Sequence, residues 1–354
     1  MSATLDRRRI LAAGAALAAP GIIGSRAVQA IEAADALVTG KLTIDMHSHG
    51  GGFIREDTAA DPIADAMRTG GMAVACLAIV SDSPTHKVFP DRRIHPVREP
   101  APGELYAWSM ASFVRVRSLA QREGLRIIGS TADLRAAPAG GPAMIVAAEG
   151  ADFLEGRLER IDEARRQHGM RHLQLVHYRP NELGDIQTED PVHNGLTDFG
   201  VEVVRACNRL GIVIDVAHGT YELVKRAAAA TTRPLILSHT SFVPEPGVHS
   251  RQISADHARV VAQTGGVIGV WPPASIFPTI DAMAVGMARL VDLFGVDHVG
   301  LGSDMRGLTG PSVLPSYRAL PLLAQALLAR GLSPTDAGKI LGGNYARVFA
   351  ATVG

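Results

Sequence analysis

The sequence predicts an α/β fold in which eight parallel strands and their crossover helices close into a (β/α)8 barrel of the TIM type. From about residue 41 onward, short apolar runs alternate with helical patterns at the spacing of βα units. Eight such runs occur, which is the number that closes this barrel, and the 354 residues are enough for one barrel of roughly 250 residues with insertions. An open, doubly wound sheet is the alternative for the same order of elements.

The eight predicted strands are rich in β-branched and other apolar residues, as expected for strands buried on both faces. They are predicted at 42–46, 72–80, 144–148, 172–176, 212–216, 235–237, 267–270 and 298–301. A further run at 125–128 is interpreted as a peripheral strand before the third barrel strand. Residues 81–103, which contain several prolines, are expected to form a loop over one end of the barrel, either a solvated connection or a lid.

The segments between these runs have the apolar period of helices. One helix is predicted to carry an apolar stripe formed by Phe199, Val203, Ala206 and Leu210. Another is predicted to begin at Ser333 as its N-cap, with Pro334 in the first turn.

Composition excludes several classes of protein. The 35 Lys and Arg residues balance 35 Asp and Glu residues, and 47% of the chain is hydrophobic. A nucleic-acid-binding protein normally carries a basic surplus and a disordered chain is poorer in apolar residues, so neither class is expected. Cys76 and Cys207 both fall in apolar patterns, which excludes a disulfide scaffold and predicts that both are buried and inert.

The first thirty residues differ from the rest and resemble a bacterial twin-arginine export signal. Arg7, Arg8 and Arg9 precede an Ala, Gly and Leu-rich stretch, and Val28-Gln29-Ala30 is a small-residue cleavage site. We therefore expect a leader over 1–30, read by the twin-arginine export machinery, and one barrel domain over 31–354 in the periplasm or outside the cell. An N-terminal membrane anchor is the alternative, although the apolar stretch is shorter than the roughly 20 residues that span a bilayer. No transmembrane segment is expected after the leader.

Polar residues that can bind metal occur where the apolar runs end. Strands of such a barrel all end at one face, so these side chains are expected to lie close together. His47 and His49 are two residues apart and therefore point the same way on an extended strand. The other candidates follow later runs: Glu149, His218, His239 and Asp304. Each one singly has a structural alternative, such as a buried histidine or a helix cap, but their joint position predicts one shared site.

The residue types at these ends indicate metal-assisted hydrolysis. Imidazoles with carboxylates favour zinc and neighbouring transition metals, and a carboxylate can bridge two ions. Two ions about 3.5–4 Å apart activate a shared water and polarise a carbonyl group. A carboxylate that is not a ligand can accept the proton of that water and return it to a leaving amine.

Several segments carry a resemblance to one known family. They are Glu149-Gly150, Gly-Leu-Thr-Asp-Phe-Gly at 195–200, Leu-Gly-Ile-Val-Ile-Asp-Val-Ala-His at 210–218, Ser-His-Thr-Ser at 238–241, Val-Asp-His-Val-Gly-Leu-Gly-Ser-Asp at 296–304 and Leu-Gly-Gly-Asn-Tyr-Ala-Arg-Val-Phe at 341–349. In order and spacing the chain resembles the membrane dipeptidases, also called renal dipeptidases, which are zinc peptidases with an amidohydrolase-like barrel. The resemblance covers roughly residues 42–349.

This resemblance implies a metal-dependent dipeptidase that hydrolyses short peptides with a free C-terminal carboxylate through a metal-activated water. It implies two zinc ions, with other divalent metals left open. His47 and His49 would bind one ion, His218 and His239 would bind the second, and Glu149 would bridge them.

The resemblance also implies roles for three residues that would act on the substrate. Asp304 would be the acid and base, and His177 would hydrogen-bond the substrate carbonyl oxygen in the tetrahedral intermediate. Arg251 would bind the terminal carboxylate, a role that suits its planar guanidinium because it can donate two hydrogen bonds to a carboxylate in a bidentate arrangement.

Three departures from the family leave the substrate open. His49 stands where the family usually has aspartate, which lowers the negative charge facing the metals by one and is expected to weaken the first site or change its preferred metal. Residues 50–53 replace the usual substrate-side loop, and Ala151 replaces a second glycine after the bridging acid.

Two other functions remain open on the sequence. Another amidohydrolase-like hydrolase would act on a lactone, a cyclic amide or another non-peptide, and His-x-His in the first strand is common among such enzymes. A non-catalytic metal-containing binding protein is the third alternative, against which the retained Asp304 argues. The oligomeric state is also open, with a homodimer among the alternatives.

Overall fold

Eight parallel strands surround a packed core in the computed structural model, which describes residues 22–52 and 62–354. Numbered in chain order, the strands are β1 Ile44–Ser48, β2 Val74–Val80, β3 His86–Val88, β4 Ile94–Pro96, β5 Arg126–Ile127, β6 Ala143–Glu149, β7 Met170–Gln174, β8 Val213–Asp215, β9 Ile236–Thr240, β10 Val267–Val270 and β11 Val299–Leu301. The main sheet runs in the order β1-β2-β6-β7-β8-β9-β10-β11. This order, with every ladder parallel, confirms the predicted barrel.

The barrel closes where β1 meets the segment after β11. Ser48 and Met305 form a parallel bridge, and the buried carboxylate of Asp45 accepts hydrogen bonds from the Ser303 amide at 2.8 Å and the Tyr317 hydroxyl at 2.7 Å. These bonds satisfy a buried carboxylate that would otherwise be costly. They also hold the first and last strands in register at the end where the candidate ligands lie.

The short strand β5 is peripheral, as predicted. It pairs with Ala143 and Met144 at the start of β6, whereas β7 pairs with β6 only from Val146 onward. The extra strand therefore covers the part of β6 that the next barrel strand leaves open.

Helices cover the outside of the barrel. They are α1 Ile22–Val38, α2 Ile63–Gly70, α3 Glu104–Glu123, α4 Thr131–Arg135, α5 Glu159–His168, α6 Asp198–Leu210, α7 Tyr221–Ala230, α8 Ala255–Gln263, α9 Ile280–Phe294, α10 Leu320–Ala329, α11 Pro334–Gly338 and α12 Asn344–Val353. The predicted stripe lies on α6, where Val203 and Ala206 are buried. Ser333 caps α11 as predicted, because its side chain accepts a hydrogen bond from the Asp336 amide at 3.1 Å.

Most of the predicted leader lies outside the described residues, which begin at residue 22. Helix α1 runs through the expected cleavage site at Ala30, and beyond it Ala34 and Val38 are buried against the barrel. Within residues 22–52 and 62–354, no helix combines the length and the apolar character needed to cross a bilayer. Export, the location outside the cytoplasm and a homodimer stay predictions.

Two groups of sequence-based boundaries need correction. Residues 81–103 are not a plain loop, because β3 and β4 form an antiparallel pair within them. This pair contacts the segments that follow β7 and β9, through His95 with Glu189 at 2.6 Å and Arg93 with the His249 carbonyl at 2.9 Å. Residues 81–103 therefore lie over one end of the barrel, as predicted, at the carboxyl ends of β7 and β9, and their action as a lid stays a prediction.

The second correction concerns candidate ligands that were expected to follow strands. His47, Glu149 and His239 lie inside β1, β6 and β9, because strand pairing continues past the apolar run. Glu149, for example, pairs with Val80 in the β2–β6 ladder. In these three strands apolar character ends before the backbone hydrogen bonding does, whereas β7 and β8 end before the runs predicted for them, so the runs locate strand ends only approximately.

Both cysteines are buried and free, as predicted. Burial raises the pKa of the Cys207 thiol to about 12, and it raises the pKa of the Cys76 thiol as well. Neither thiol is therefore a reactive thiolate at neutral pH.

We expect His257 to make the fold sensitive to acid. This residue of α8 is buried, its Nε2 lacks a hydrogen-bond partner among the described residues, and burial lowers its pKa from 6.5 to about 4. Below pH 6.5 the unfolded chain binds a proton that the folded chain does not, so the free energy of unfolding falls as the pH drops toward 4. Between pH 7 and pH 5 this one group should cost about 2 kcal/mol.

Urea unfolding of the wild type and of His257→Phe at pH 7 and pH 5 measures this effect. The variant should lose less stability than the wild type over that interval, by about 2 kcal/mol. Equal losses in the two proteins would show that His257 does not titrate on unfolding.

Candidate metal centre

All six strand-end candidates meet at the carboxyl ends of the barrel strands. His47 is in β1, Glu149 ends β6 and His239 is in β9, whereas His49, His218 and Asp304 follow β1, β8 and β11. All six are buried, with 1–7% of each residue exposed. The structure therefore places six metal-ligating or acidic side chains in one buried site.

The Glu149 carboxylate lies at the centre of this site. Its Oε1 is 3.3 Å from His47 Nε2, 3.4 Å from His218 Nε2 and 3.5 Å from His239 Nε2. Its Oε2 is 3.1 Å from His49 Nε2 and 3.2 Å from His177 Nε2. One carboxylate thus faces five imidazole nitrogens, and its two oxygens divide them into two sets.

The imidazoles are also close to one another in pairs. Nε2 of His47 is 3.2 Å from Nε2 of His49, and Nε2 of His218 is 3.0 Å from Nε2 of His239. Two nitrogens that each bind one ion at about 2.0–2.1 Å in tetrahedral geometry stand about 3.3 Å apart. Both pairs therefore have the spacing of ligands to a common ion.

The hydrogen bond of His49 tests whether a cation fits. Its Nδ1 is 2.8 Å from the Ala78 carbonyl oxygen, which can only accept, so Nδ1 carries the hydrogen and the lone pair of the neutral ring is on Nε2. That lone pair faces oxygens of Glu149 at 3.1 Å and Asp304 at 3.5 Å, which are also acceptors. Acceptors that converge in this way suit a metal cation bound between them, and backbone-fixed histidines of this kind are typical metal ligands.

Electrostatics in the site favour the ligating forms of Glu149, His218 and His239. His47 differs, because burial lowers its pKa but the charges of Glu149 and Asp304 raise it by more, to about 9, so a metal would have to displace a proton from this ring. Burial by itself would raise the pKa of the Glu149 carboxyl. The histidines around it, chiefly His177 and His47, outweigh burial and hold this pKa well below its ordinary value. Burial, with the charge of neighbouring cationic groups, lowers the pKa of both His218 and His239 and keeps these rings neutral. Neutral imidazole and ionised carboxylate are the forms that bind metal.

Asp304 is held at the edge of the cluster by the backbone bonds that close the barrel. Its amide donates to the His47 carbonyl at 3.0 Å, and the His49 amide donates to the Met305 carbonyl at 2.9 Å. The φ angles of Asp304 and His218 are 46° and 66°, in the left-handed region that non-glycine residues rarely adopt. Such strained positions cluster at functional sites.

His177 and Arg251 lie beside the cluster. His177 contacts Glu149, whereas Arg251 donates to Gln187 Oε1 at 2.8 Å and to the carbonyl oxygen of His239 at 3.3 Å. The Arg251 guanidinium also lies over the Trp271 ring, 5.2 Å from its centroid. The structure thus brings every sequence-predicted site residue to one end of the barrel, and the roles of these residues stay predictions.

Four residues around the site were not predicted from the sequence. Asp82 contacts His177, and Tyr178, Gln187 and Trp271 surround Arg251. Asp82 follows the second predicted strand, so the rule that identified the other strand-end acids could have identified it. Gln187 lies in a connection without a pattern, and no sequence signal indicates its contact.

Two of the three departures from the family pattern lie next to site residues: Ala151 is close to Glu149, and residues 50–53 follow His49. Gly150 has a φ of 80°, and a Cβ there would lie 2.6 Å from Asp152 Oδ2 and 2.8 Å from Ser81 Oγ, so this position requires glycine. Ala151, which follows it, is fully buried. Of residues 50–53, Phe53 lies outside the described residues.

An eight-stranded α/β barrel with histidines and carboxylates gathered at the carboxyl ends of its strands defines a metal-dependent protein of the amidohydrolase-like type. The chain belongs to the membrane dipeptidase family, peptidase family M19, whose profile matches residues 64–353. This membership implies a divalent metal, and the clustered side chains described above are the candidates to hold it.

Curated relatives include dipeptidases from fungi. A dipeptidase of Aspergillus oryzae is 33% identical over 195 residues, which are 51% of this chain and 45% of the relative. An uncharacterized dipeptidase of Schizosaccharomyces pombe is also 33% identical over 195 residues, covering 52% of this chain and 47% of the relative. The chain thus spans about half the length of the curated relatives it matches.

Solved structures share the fold over nearly the whole chain. The probable dipeptidase PvdM of Pseudomonas aeruginosa has a TM-score of 0.77 at 19% identity, covering 92% of this chain and 98% of that one. A metallo peptidase of Rhodobacter sphaeroides, bound to a phosphinate mimic of the dipeptide L-Ala-D-Ala, has a TM-score of 0.74 at 20% identity, covering 88% and 99%. At these identities the likeness concerns the fold.

Proposed function

We propose that this protein is a metal-dependent dipeptidase that hydrolyses the peptide bond of short peptides with a free C-terminal carboxylate. Three features support the proposal: membership of the dipeptidase family, the buried cluster around Glu149 and a partly exposed arginine beside it. The names of the curated relatives agree with it.

We propose two zinc ions as the cofactor. His47 and His49 would hold one ion and His218 with His239 the other, because each pair has the spacing of ligands to a common ion. Glu149 lies between the two pairs, as a bridging carboxylate would, because its Oε1 is 3.3 Å from His47 Nε2 and 3.4 Å from His218 Nε2. A bound divalent ion acts as a Lewis acid toward a carbonyl oxygen and lowers the pKa of water.

The protein's own groups would move the proton and orient the substrate. Asp304 would accept a proton and return it to the leaving amine. Burial raises its pKa to about 6, although His49 and His47 oppose the rise, and a pKa near neutral suits such an exchange. His177 presents Nε2 toward the cluster, where it can donate to the substrate carbonyl oxygen.

The observation that carries the choice of a peptide with a free carboxylate concerns Arg251. Its Nη1 and Nη2 have partners, but its Nε is buried and has no hydrogen-bond partner among the described residues. An unsatisfied N–H of a charged group is costly, so this edge of the guanidinium is suited to an anionic ligand. The C-terminal carboxylate of a dipeptide is such a ligand.

We expect Arg251→Ala to raise KM for dipeptides by about 10–100-fold, the loss of one charge-assisted interaction of about 1.5–3 kcal/mol. Bound metal should be unchanged, because the side chain contacts the ligand His239 only through its carbonyl group. Steady-state kinetics on a panel of L,L- and L,D-dipeptides, with metal analysis of the same samples, measures both effects.

Arg289→Ala provides a matched control. That arginine lies over the Phe242 ring at 4.8 Å, away from the cluster, and its loss should leave KM unchanged. Unchanged dipeptide kinetics in Arg251→Ala would contradict the carboxylate-binding role. Failure of the wild type to cleave any dipeptide, with cleavage of lactones or cyclic amides instead, would support the non-peptide hydrolase that the His-x-His pair leaves open.

A further inference from the structure

Asp82, which follows β2, contacts His177, which follows β7 at the same end of the barrel. Its Oδ1 is 2.7 Å from His177 Nδ1, and its Oδ2 accepts a hydrogen bond from the Tyr178 amide at 2.9 Å. The residue is fully buried. Both oxygens of one buried carboxylate are therefore bonded to two consecutive residues that follow β7.

The cluster of Asp82, His86 and His177 could also be interpreted as a separate metal site, because its ligand atoms are close together. The distance between His177 and Asp82 argues against it. An oxygen and a nitrogen bound to one tetrahedral ion stand about 3.3 Å apart, whereas 2.7 Å is the length of a charge-assisted hydrogen bond. His86 lies on the outer side, with its Nδ1 3.3 Å from Asp82 Oδ1.

The hydrogen bond determines the direction of the His177 ring. Ionised carboxylates can only accept, and both ring nitrogens of His177 face carboxylate oxygens, Nδ1 at 2.7 Å from Asp82 Oδ1 and Nε2 at 3.2 Å from Glu149 Oε2. Both nitrogens therefore carry hydrogens in this arrangement, and the Nε2–H group points into the cluster, where it can donate to a substrate carbonyl oxygen. The bond to the Tyr178 amide fixes the backbone of the same turn. Ring rotation and backbone position are thus both set by Asp82.

We propose that Asp82 is a positioning residue that holds His177 for its contact with the substrate carbonyl oxygen. The contact with the substrate rests on the proposed function. Asp82 itself lies two positions beyond β2 and touches neither the substrate nor the ligand pairs. Carboxylates that orient a histidine in this way are typical of metal and hydrolase sites.

Asp82→Asn tests the proposal with little change of volume. Asparagine has one acceptor oxygen for two donors, so either His177 or the Tyr178 amide then faces an NH2 group. We expect kcat on dipeptides to fall by about 10–100-fold, with KM changed by less than about threefold and bound metal unchanged.

A double-mutant cycle with His177→Ala separates positioning from a structural role. If Asp82 acts through His177, Asp82→Asn should lower kcat by less than about twofold when His177 is already absent. A loss that is as large in the His177→Ala background as in the wild type would overturn the proposal. His86→Gln is the control, because His86 contacts the same oxygen of Asp82 but neither Glu149 nor the candidate ligand pairs, and the kcat of this variant should stay within about twofold of the wild type.

A second measurement does not depend on the substrate. It uses side-chain 15N resonances of metal-loaded, histidine-labelled protein, in which the His177 signals are assigned by their loss in His177→Ala. In the wild type, Nδ1 of His177 should be protonated. In Asp82→Asn, the Nδ1 resonance should shift. An unprotonated Nδ1 in the wild type would overturn the proposal even if dipeptides are cleaved. A protonated Nδ1 without dipeptide cleavage would uphold the positioning contact and reject the proposed function.

Discussion

Asp304→Asn is expected to lower kcat on dipeptides by about 10²–10⁴-fold while the metal stays bound, because an amide can neither accept nor return the proton of the reaction. Asp304 is buried at the edge of the cluster, with its Oδ1 3.5 Å from His49 Nε2, which is longer than the 3.1 Å between the same nitrogen and Glu149 Oε2. Its pKa is raised to about 6, which suits a group that takes up a proton near neutral pH.

Metal content of the same variant decides between two roles for this carboxylate. Asp304 forms a compact group with His47 and His49, so it could also serve as the anionic ligand that His49 lacks. Loss of about one ion per chain in Asp304→Asn would make it a ligand and not the proton carrier. Wild-type turnover in that variant would contradict both roles.

Glu149→Gln is expected to have the largest effect on the metal centre. The carboxylate is the common neighbour of five histidines, and an amide would remove its charge and turn an NH2 group toward nitrogens that need to bind a cation. Loss of a residue that only orients a ligand weakens metal binding by about 10–100-fold, so loss of this central group should weaken it by more than about 100-fold. Turnover should fall with the bound metal.

Metal analysis after dialysis, together with circular dichroism, measures this effect. Glu104→Gln is a control for the change of residue type, because Glu104 is an acid at the surface that pairs with Arg98. The Glu104→Gln variant should keep its bound metal and its activity. Full metal occupancy in Glu149→Gln would contradict the central role of this carboxylate.

The sequence was sufficient to predict those features that depend on local patterns. Apolar runs alternating with helical periods predicted the eight barrel strands, and the two-residue period of a strand predicted that His47 and His49 point the same way, as their Nε2 atoms 3.2 Å apart show. The runs marked strand ends imprecisely, since β6 and β9 extend through Glu149 and His239. Backbone pairing in a ladder does not require an apolar side chain, so apolar character is a poor guide to the last residue.

The sequence by itself determined the barrel, the end of it that holds the site and the residue types gathered there, because parallel strands bring all their carboxyl ends to one face. Only the tertiary structure decided which of those side chains touch. Asp82 after β2 meets His177 after β7, although β6 lies between those strands, and Gln187 meets Arg251 from a connection with no periodic pattern. Such contacts depend on how loops distant in sequence pack over the same barrel end, which spacing along the chain does not encode.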